Sequence, residues 1–219
     1  MIISKPPEII YPESDGLPMS DHTRQFRWIV TIKENLELLF AKEPNVFVAG
    51  DLLWYPVEGN NKLAYAPDTM VVFGRPKGDR GSYQQWKEDN IAPQVVFEIL
   101  SPSNRLGEMM RKLDFYQKYG VEEYYIYDPE RLDFTAWVRE SDRLVIASTS
   151  NEWTSPRLGI NFVMNPDLTI YHPNGEPFLT LAELNERRLN AEQRANTAEQ
   201  RANRLAAKLR ELGIEPDIS

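Results

Sequence analysis

Asp68, Glu98 and Lys112 are the residues whose types and settings could do chemistry. Asp68 follows Ala66-Pro67 and stands just ahead of the apolar run Met70-Val71-Val72-Phe73; Glu98 lies inside Val95-Val96-Phe97-Glu98-Ile99-Leu100. Each acid falls at a strand end or edge, where side-chain alternation can turn a carboxylate out of a core. Two carboxylates on neighbouring strands make an oxygen-rich pocket suited to Mg²⁺. A lysine in reach could orient a water or help deprotonate it. Together these are the components of metal-assisted phosphodiester hydrolysis.

Each residue also has a plainer account. Asp68 follows a proline, and alone it reads as a turn residue. Glu98 could form a structural ion pair with Lys112 or Arg111, although ionised carboxylates are seldom set inside an apolar strand without a partner. Lys112 alone is an ordinary helix-surface lysine, and its weight comes from the set. Glu108 stands four residues before it, a spacing that predicts an ion pair orienting the lysine or bracing the helix. Tyr116 and Tyr125 read as core aromatics. Asp51 reads as an edge residue of a strand.

The composition narrows the chemistry. The 219 residues are 42% hydrophobic and 26% charged, enough for one globular domain with a substantial core plus an appended element. The absence of cysteine excludes disulfides, Cys-ligated zinc, iron–sulfur clusters and thiol nucleophiles. His22 and His172, the two histidines, are far apart in sequence, which argues against a histidine metal site. The net charge of −8 argues against a generic nucleic-acid coat protein but not against a nuclease, whose clustered acids need metal before they meet phosphate. Met1–Pro7 lacks the apolar stretch of a signal peptide, and no run approaches a membrane span. The expectation is a soluble, cytoplasmic protein with no membrane partner.

The elements that must position these residues follow from the pattern. Residues 1–19, rich in proline and turn formers, predict an extended arm. A helix is expected from Ser20-Asp21 to about Lys42-Glu43, with Asp21 well placed as its cap. Strands are predicted over 46–55, over 64–73 with a break at Pro67, over 95–100, at Tyr124–Asp128, at Phe134–Arg139 and at Arg143–Ala147. Leu106, Met109, Met110, Leu113 and Tyr116 give one apolar stripe to a helix that Ser101–Asn104 could cap and Gly120 could close. Lys112 sits near the edge of that stripe. The order predicts a mixed α/β (α+β) sheet flanked by helices. From 181 onward, Leu181, Leu184, Arg188, Ala191, Ala195, Ala198, Ala202, Leu205, Leu209 and Leu212 recur in steps of three and four, a coiled-coil pattern with an alanine-rich middle. That tail carries seven basic and seven acidic residues, so the whole net charge falls on 1–180.

The set Asp21, Ala66-Pro67-Asp68, Phe97-Glu98-Ile99-Leu100-Ser101-Pro102-Ser103, and Lys112 with Tyr116 ahead of Gly120-Val121-Glu122-Glu123-Tyr124 resembles the putative restriction endonuclease family abundant in cyanobacteria. That family belongs to the PD-(D/E)XK nuclease superfamily, and the likeness runs over roughly residues 15–175. The resemblance implies a restriction endonuclease-like core at 20–178, with the heptad-patterned helix at 179–219. It makes Asp68 the aspartate of the Pro-Asp element, Glu98 the second metal ligand and the Ile99 main-chain carbonyl a third. It also makes Asp21 a candidate for the metal site through water. The superfamily lysine commonly stands two residues after the acid, where this chain has Leu100. The resemblance instead implies a lysine moved to the following helix, at Lys112, so that the helix must fold back over the strand end.

The expected function is a Mg²⁺-dependent endonuclease acting on DNA, with Mn²⁺ able to substitute. Arg75, Lys77 and Arg80, followed by Tyr83 and Trp86, could contact a phosphate backbone or stack on bases, or form a solvated loop. Arg105 and Arg111 could add phosphate contacts. The tail could pair two protomers or lie on its own domain; an alanine seam buries little area, so it would be a weak dimeriser. Two rivals stand beside this reading: a catalytically silent nuclease fold used as a scaffold through its coiled coil, and an RNase or structure-specific repair nuclease.

Overall fold

Gln25, Ile29, Ile32 and Leu36 are buried along one stripe of the first helix, α1 (Thr23–Leu39), which lays this face on a sheet. The structure, a computed structural model, describes residues 9–14, 16, 22–148 and 151–213. Ser20 and Asp21, the expected helix start, lie outside them. Within them α1 begins after His22, an extended residue whose side chain makes no capping bond. The helix closes at Phe40, two residues short of the expected end, and a turn leads on toward Pro44.

The strands are β1 (Val46–Ala49), β2 (Trp54–Tyr55), β3 (Thr69–Phe73), β4 (Tyr83–Gln84), β5 (Val95–Ile99), β6 (Glu123–Asp128), β7 (Asp133–Glu140), β8 (Arg143–Ser148), β9 (Glu152–Thr154), β10 (Asn161–Met164) and β11 (Leu168–Tyr171). Six form the main sheet, in the order β1-β3-β5-β6-β7-β8. Within this sheet β5 and β6 run parallel, joined by the crossover helix α2 (Leu106–Tyr119), and the other described neighbours are antiparallel. The mixed α/β class is therefore as expected. The strand predicted over 46–55 divides in two, because Asp51 turns to a φ of 49° and gives its N–H to the Pro67 carbonyl.

Alternation assigns the two faces. Val71, Val95, Phe97, Ile99, Tyr125 and Tyr127 pack against α1 and against a second sheet, β11-β10-β9. Met70, Val72, Val96 and Tyr124 face α2, whose Phe115 and Tyr116 fill that side. Gly120 closes α2 in the left-handed region, at φ 97°, as the sequence predicts. Ser101 and Asn104 do not cap the helix. They form a turn of their own, in which the Ser101 N–H donates to Asn104 Oδ1, and Arg105 takes the N-cap position without a side-chain bond.

The second sheet is tied to the first by a buried acid. Glu123, 2% exposed, accepts from the Tyr125 hydroxyl at 2.8 Å, from the Ser155 hydroxyl and from the Arg157 N–H at 2.7 Å. Truncation would strand these donors, at about 1–3 kcal/mol each where they stay buried. Glu123→Ala is therefore expected to destabilise the protein by about 3 kcal/mol or more, read from urea denaturation. A loss under 1 kcal/mol would mean that the sheets are held by their apolar contact alone.

The chain divides into two compact units, Met1–Phe178 and Leu179–Ser219. The second holds one continuous helix, α3 (Leu181–Glu211). A reciprocal capping box starts it, with Thr180 accepting from the Glu183 N–H and Glu183 accepting from the Thr180 N–H. Leu181, Leu189, Leu205 and Leu212 are all exposed. Among the described residues no helix is long and apolar enough to cross a membrane.

Candidate active site

The strand register brings the two predicted acids together. Thr69 of β3 pairs with Phe97 of β5, so continuing the pairing one place sets Asp68 opposite Glu98. Alternation puts Glu98 on the α2 face, beside Met70 and Val96. Asp68 Oδ2 accepts the Ile99 N–H at 2.6 Å, which fixes the carboxylate against the end of β5.

Glu98 is 3% exposed and both of its oxygens are engaged. Lys112 Nζ donates to Oε2 at 2.7 Å, and the Tyr116 hydroxyl donates to Oε1 at 2.6 Å. Residues 112 and 116 are one helical turn apart on the same side of α2, so a single helix face meets both oxygens. The chain from Glu98 to Lys112, a separation of fourteen residues, thus does fold back over the strand end. Tyr116, expected as a core aromatic, is both: fully buried and bonded to the acid.

Burial, and then the charge of Glu98, push the Asp68 carboxyl well above its usual range; Lys112 and the Ile99 N–H pull less strongly the other way, and Asp51 adds a further push up. Burial works against the charge on Lys112, but Glu98, Asp68 and Glu108 outweigh it and hold the ammonium above its ordinary value. The one lysine does not offset burial and the neighbouring Glu98, so Asp68 favours its neutral form while no further positive charge is present.

The Ile99 peptide joins these parts. Its N–H holds Asp68, and its carbonyl accepts from Gln25 Nε2 of α1 at 2.8 Å. Sequence reasoning missed Gln25; the one available signal was a polar residue at the start of an apolar stripe, four residues before Ile29. It also missed Tyr124, whose hydroxyl is buried and bonded to no described group.

These residues fit a hard divalent cation. All the available donors are oxygens, and the two carboxylates have lone pairs beyond the bonds they accept. A cation would also relieve the repulsion that the two acids meet when both are ionised. Among the described residues no group of three or more acidic, histidine or cysteine side chains is placed to hold a metal.

A family model described as Uma2, putative restriction endonuclease, matches residues 12–166, and this span contains every part of the site just described. The chain belongs to the Uma2 family. The crystal structure of a putative nuclease belonging to DUF820, from Anabaena variabilis ATCC 29413, is similar at a TM-score of 0.44 and 13% identity, covering 59% of this chain and 70% of that one. No curated protein matches.

In this Uma2 chain the remaining candidates among the described residues make no hydrogen bond or ion pair with Asp68 or Glu98. Asp21 falls outside the described residues. Glu108 acts on Lys112 through its charge, while the direct ion pair of Lys112 is with Glu98. Arg75 and Arg80 are bound within the protein: both grip Glu88, at 2.8 and 2.7 Å, Arg75 also bonds Asp89, and the Arg80 guanidinium lies 3.9 Å over the Phe47 ring. Burial opposes the charge on Glu88, yet Arg80 and Arg75 hold its carboxyl below its usual value. Lys77 is exposed on the same loop. Arg105 and Arg111 are exposed and make no ion pair among the described residues. Arg105 also lines a cleft of about 410 Å³ with Leu100, Met109, Ile126 and Arg131. Ile126 is the cross-strand neighbour of Glu98.

Proposed function

We propose that the protein is a divalent-cation-dependent endonuclease that hydrolyses DNA phosphodiester bonds, with Mg²⁺ as its cation and Mn²⁺ able to substitute. The observation that carries this reading is Glu98: a carboxylate buried inside a central strand, held by Lys112 and Tyr116, and facing a second buried acid in a family of nucleases. Asp68, Glu98 and the Ile99 carbonyl would hold the cation. When bound, it would polarise a phosphate oxygen and lower the pKa of a water.

The chain's own groups do the rest. Tyr116 fixes the Glu98 carboxylate, and Gln25 and Asp68 together fix the Ile99 peptide. Lys112 brings a permanent positive charge to the place where the phosphate would gain negative charge, and one well-placed group of this kind is commonly worth several kcal/mol. Arg105, at the cleft beside Ile126, would take a backbone phosphate, whereas Arg131 on the same cleft pairs with Asp128 at 3.7 Å. On this reading 20–178 is the nuclease domain and the protein acts in the cytoplasm. The exposed leucines of α3 would pair two copies weakly, and a dimer suits cleavage of both strands.

Supercoiled plasmid, single-stranded DNA and RNA, each incubated with Mg²⁺ or Mn²⁺ beside EDTA, test the reading. The expected result is metal-dependent nicking of the plasmid. Cleavage of RNA alone would move the substrate class, and no cleavage of any substrate would favour a silent scaffold acting through α3.

A further inference from the structure

Tyr124 is a buried residue whose hydroxyl has no hydrogen-bond partner among the described residues. It lies on β6, on the sheet face that packs against α2, and is fully buried. Its cross-strand partner on β5 is Val96, two residues before Glu98 on the same face. Its ring lies 5.0 Å from that of Tyr116, whose hydroxyl already holds Glu98 Oε1. Yet the Tyr124 hydroxyl is bonded to no described group. A phenol that packs only as an aromatic would do better as phenylalanine, because an unsatisfied buried hydroxyl is costly. Burial pushes its ionisation well up, and the charges of Glu98 and then Asp68 push the same way, so the hydroxyl feels both carboxylates.

We propose that Tyr124 is a positioning residue of the carboxylate site, its hydroxyl hydrogen-bonding an oxygen ligand held beside Asp68 and Glu98. That oxygen is a water of the cation's shell or an oxygen of the substrate phosphate. The inference rests on the cation-binding reading above and adds a residue that neither the Pro-Asp element nor the strand acid identifies. Tyr116 spends its hydroxyl on the protein, and Tyr124 keeps its own for the ligand. The cost is borne by the protein without ligand.

Tyr124→Phe in the full chain separates this role from a structural one, because it deletes the hydroxyl and keeps the ring. Without cation, the variant is expected to melt about 2–4 °C above wild type, the shift that relief of one unsatisfied buried group brings in a domain of this size. Calorimetric titration with Mn²⁺ is expected to show affinity lowered about 3–10-fold if the oxygen is a water. If it is a phosphate oxygen, Mn²⁺ binds the variant normally and the loss appears as a higher KM for DNA. A lower melting temperature with unchanged Mn²⁺ affinity and unchanged KM would overturn the inference and make the hydroxyl structural. A wild-type chain that binds no divalent cation would overturn the parent reading along with it, whereas equal cation and DNA binding by both proteins would overturn this inference alone.

Discussion

Asp68→Asn is expected to abolish cleavage and, at the same time, to raise the melting temperature of the metal-free protein. The two effects have one cause. Asp68 is buried against Glu98, so its charge is unfavourable until a cation arrives. Asparagine keeps the shape, can accept the Ile99 N–H and removes the repulsion. It also removes a ligand charge, so cleavage should fall roughly 10³-fold or more. Each kcal/mol relieved is worth roughly 2–4 °C in a domain of this size. The sign of the pH dependence follows. The folded pKa of Asp68 lies above its unfolded value, so protonation favours the fold. That contribution is fully present below about pH 4, the ordinary aspartate value, and is lost as pH rises through the folded value. The melting-temperature difference between Asp68→Asn and wild type without metal should therefore widen from pH 5 to pH 8. Saturating Mn²⁺ should reverse it, because the cation favours the ionised acid in wild type and finds no charge in the variant. A variant that melts below wild type at every pH would show that Asp68 is a structural acceptor and not a strained ligand.

That strain is invisible in the sequence, whereas the residues that create it are not. Glu98 stands out because a charge inside Val95–Leu100 must have a partner, and period-two alternation alone puts it on the α2 face. Asp68 stands out beside it only once β3 and β5 are neighbours, which the order of elements suggests and the register makes definite. Lys112 is different: no local rule brings a helix-surface lysine to a strand fourteen residues back, and the family resemblance supplied it. Gln25 and Tyr124 were missed because their importance depends on contacts between elements distant in sequence. Periodicity tells which face a side chain takes, not what its polar atom meets there. The loop arginines show the same limit. Arg75 and Arg80 read as free basic residues until Glu88 and Asp89 come round to hold them. In the fold, β9–β11 went unforeseen: they are three or four residues each, too short for alternation to register, and they gain order from packing Phe162 and Ile170 on the main sheet.

The Lys112–Glu98 pair gives the other large effect, and of opposite sign. Lys112→Met removes the ammonium while keeping most of the packed stem, and leaves Glu98 buried with the Tyr116 hydroxyl as its remaining side-chain donor. Breaking a buried ion pair from one side commonly costs about 3–5 kcal/mol, because the surviving charge has lost its compensation. The metal-free variant should therefore melt about 10 °C below wild type. Glu98→Gln/Lys112→Met, which removes both charges, should recover much of that loss, and the double-mutant cycle should return a coupling of about 2 kcal/mol or more. A divalent cation separates the two roles of the lysine. In Lys112→Met it supplies the missing positive charge and should restore stability, so the variant should gain more from Mn²⁺ than wild type does. Cleavage should not return with it: a loss of roughly 10²–10³-fold should persist at saturating metal, because the cation can neutralise Glu98 but cannot also place the second positive charge that Lys112 brings to the phosphate. A coupling near zero would mean that the ammonium and the carboxylate are not paired. Full recovery of cleavage with metal would reduce Lys112 to a structural counter-ion, leaving the two acids to carry the chemistry.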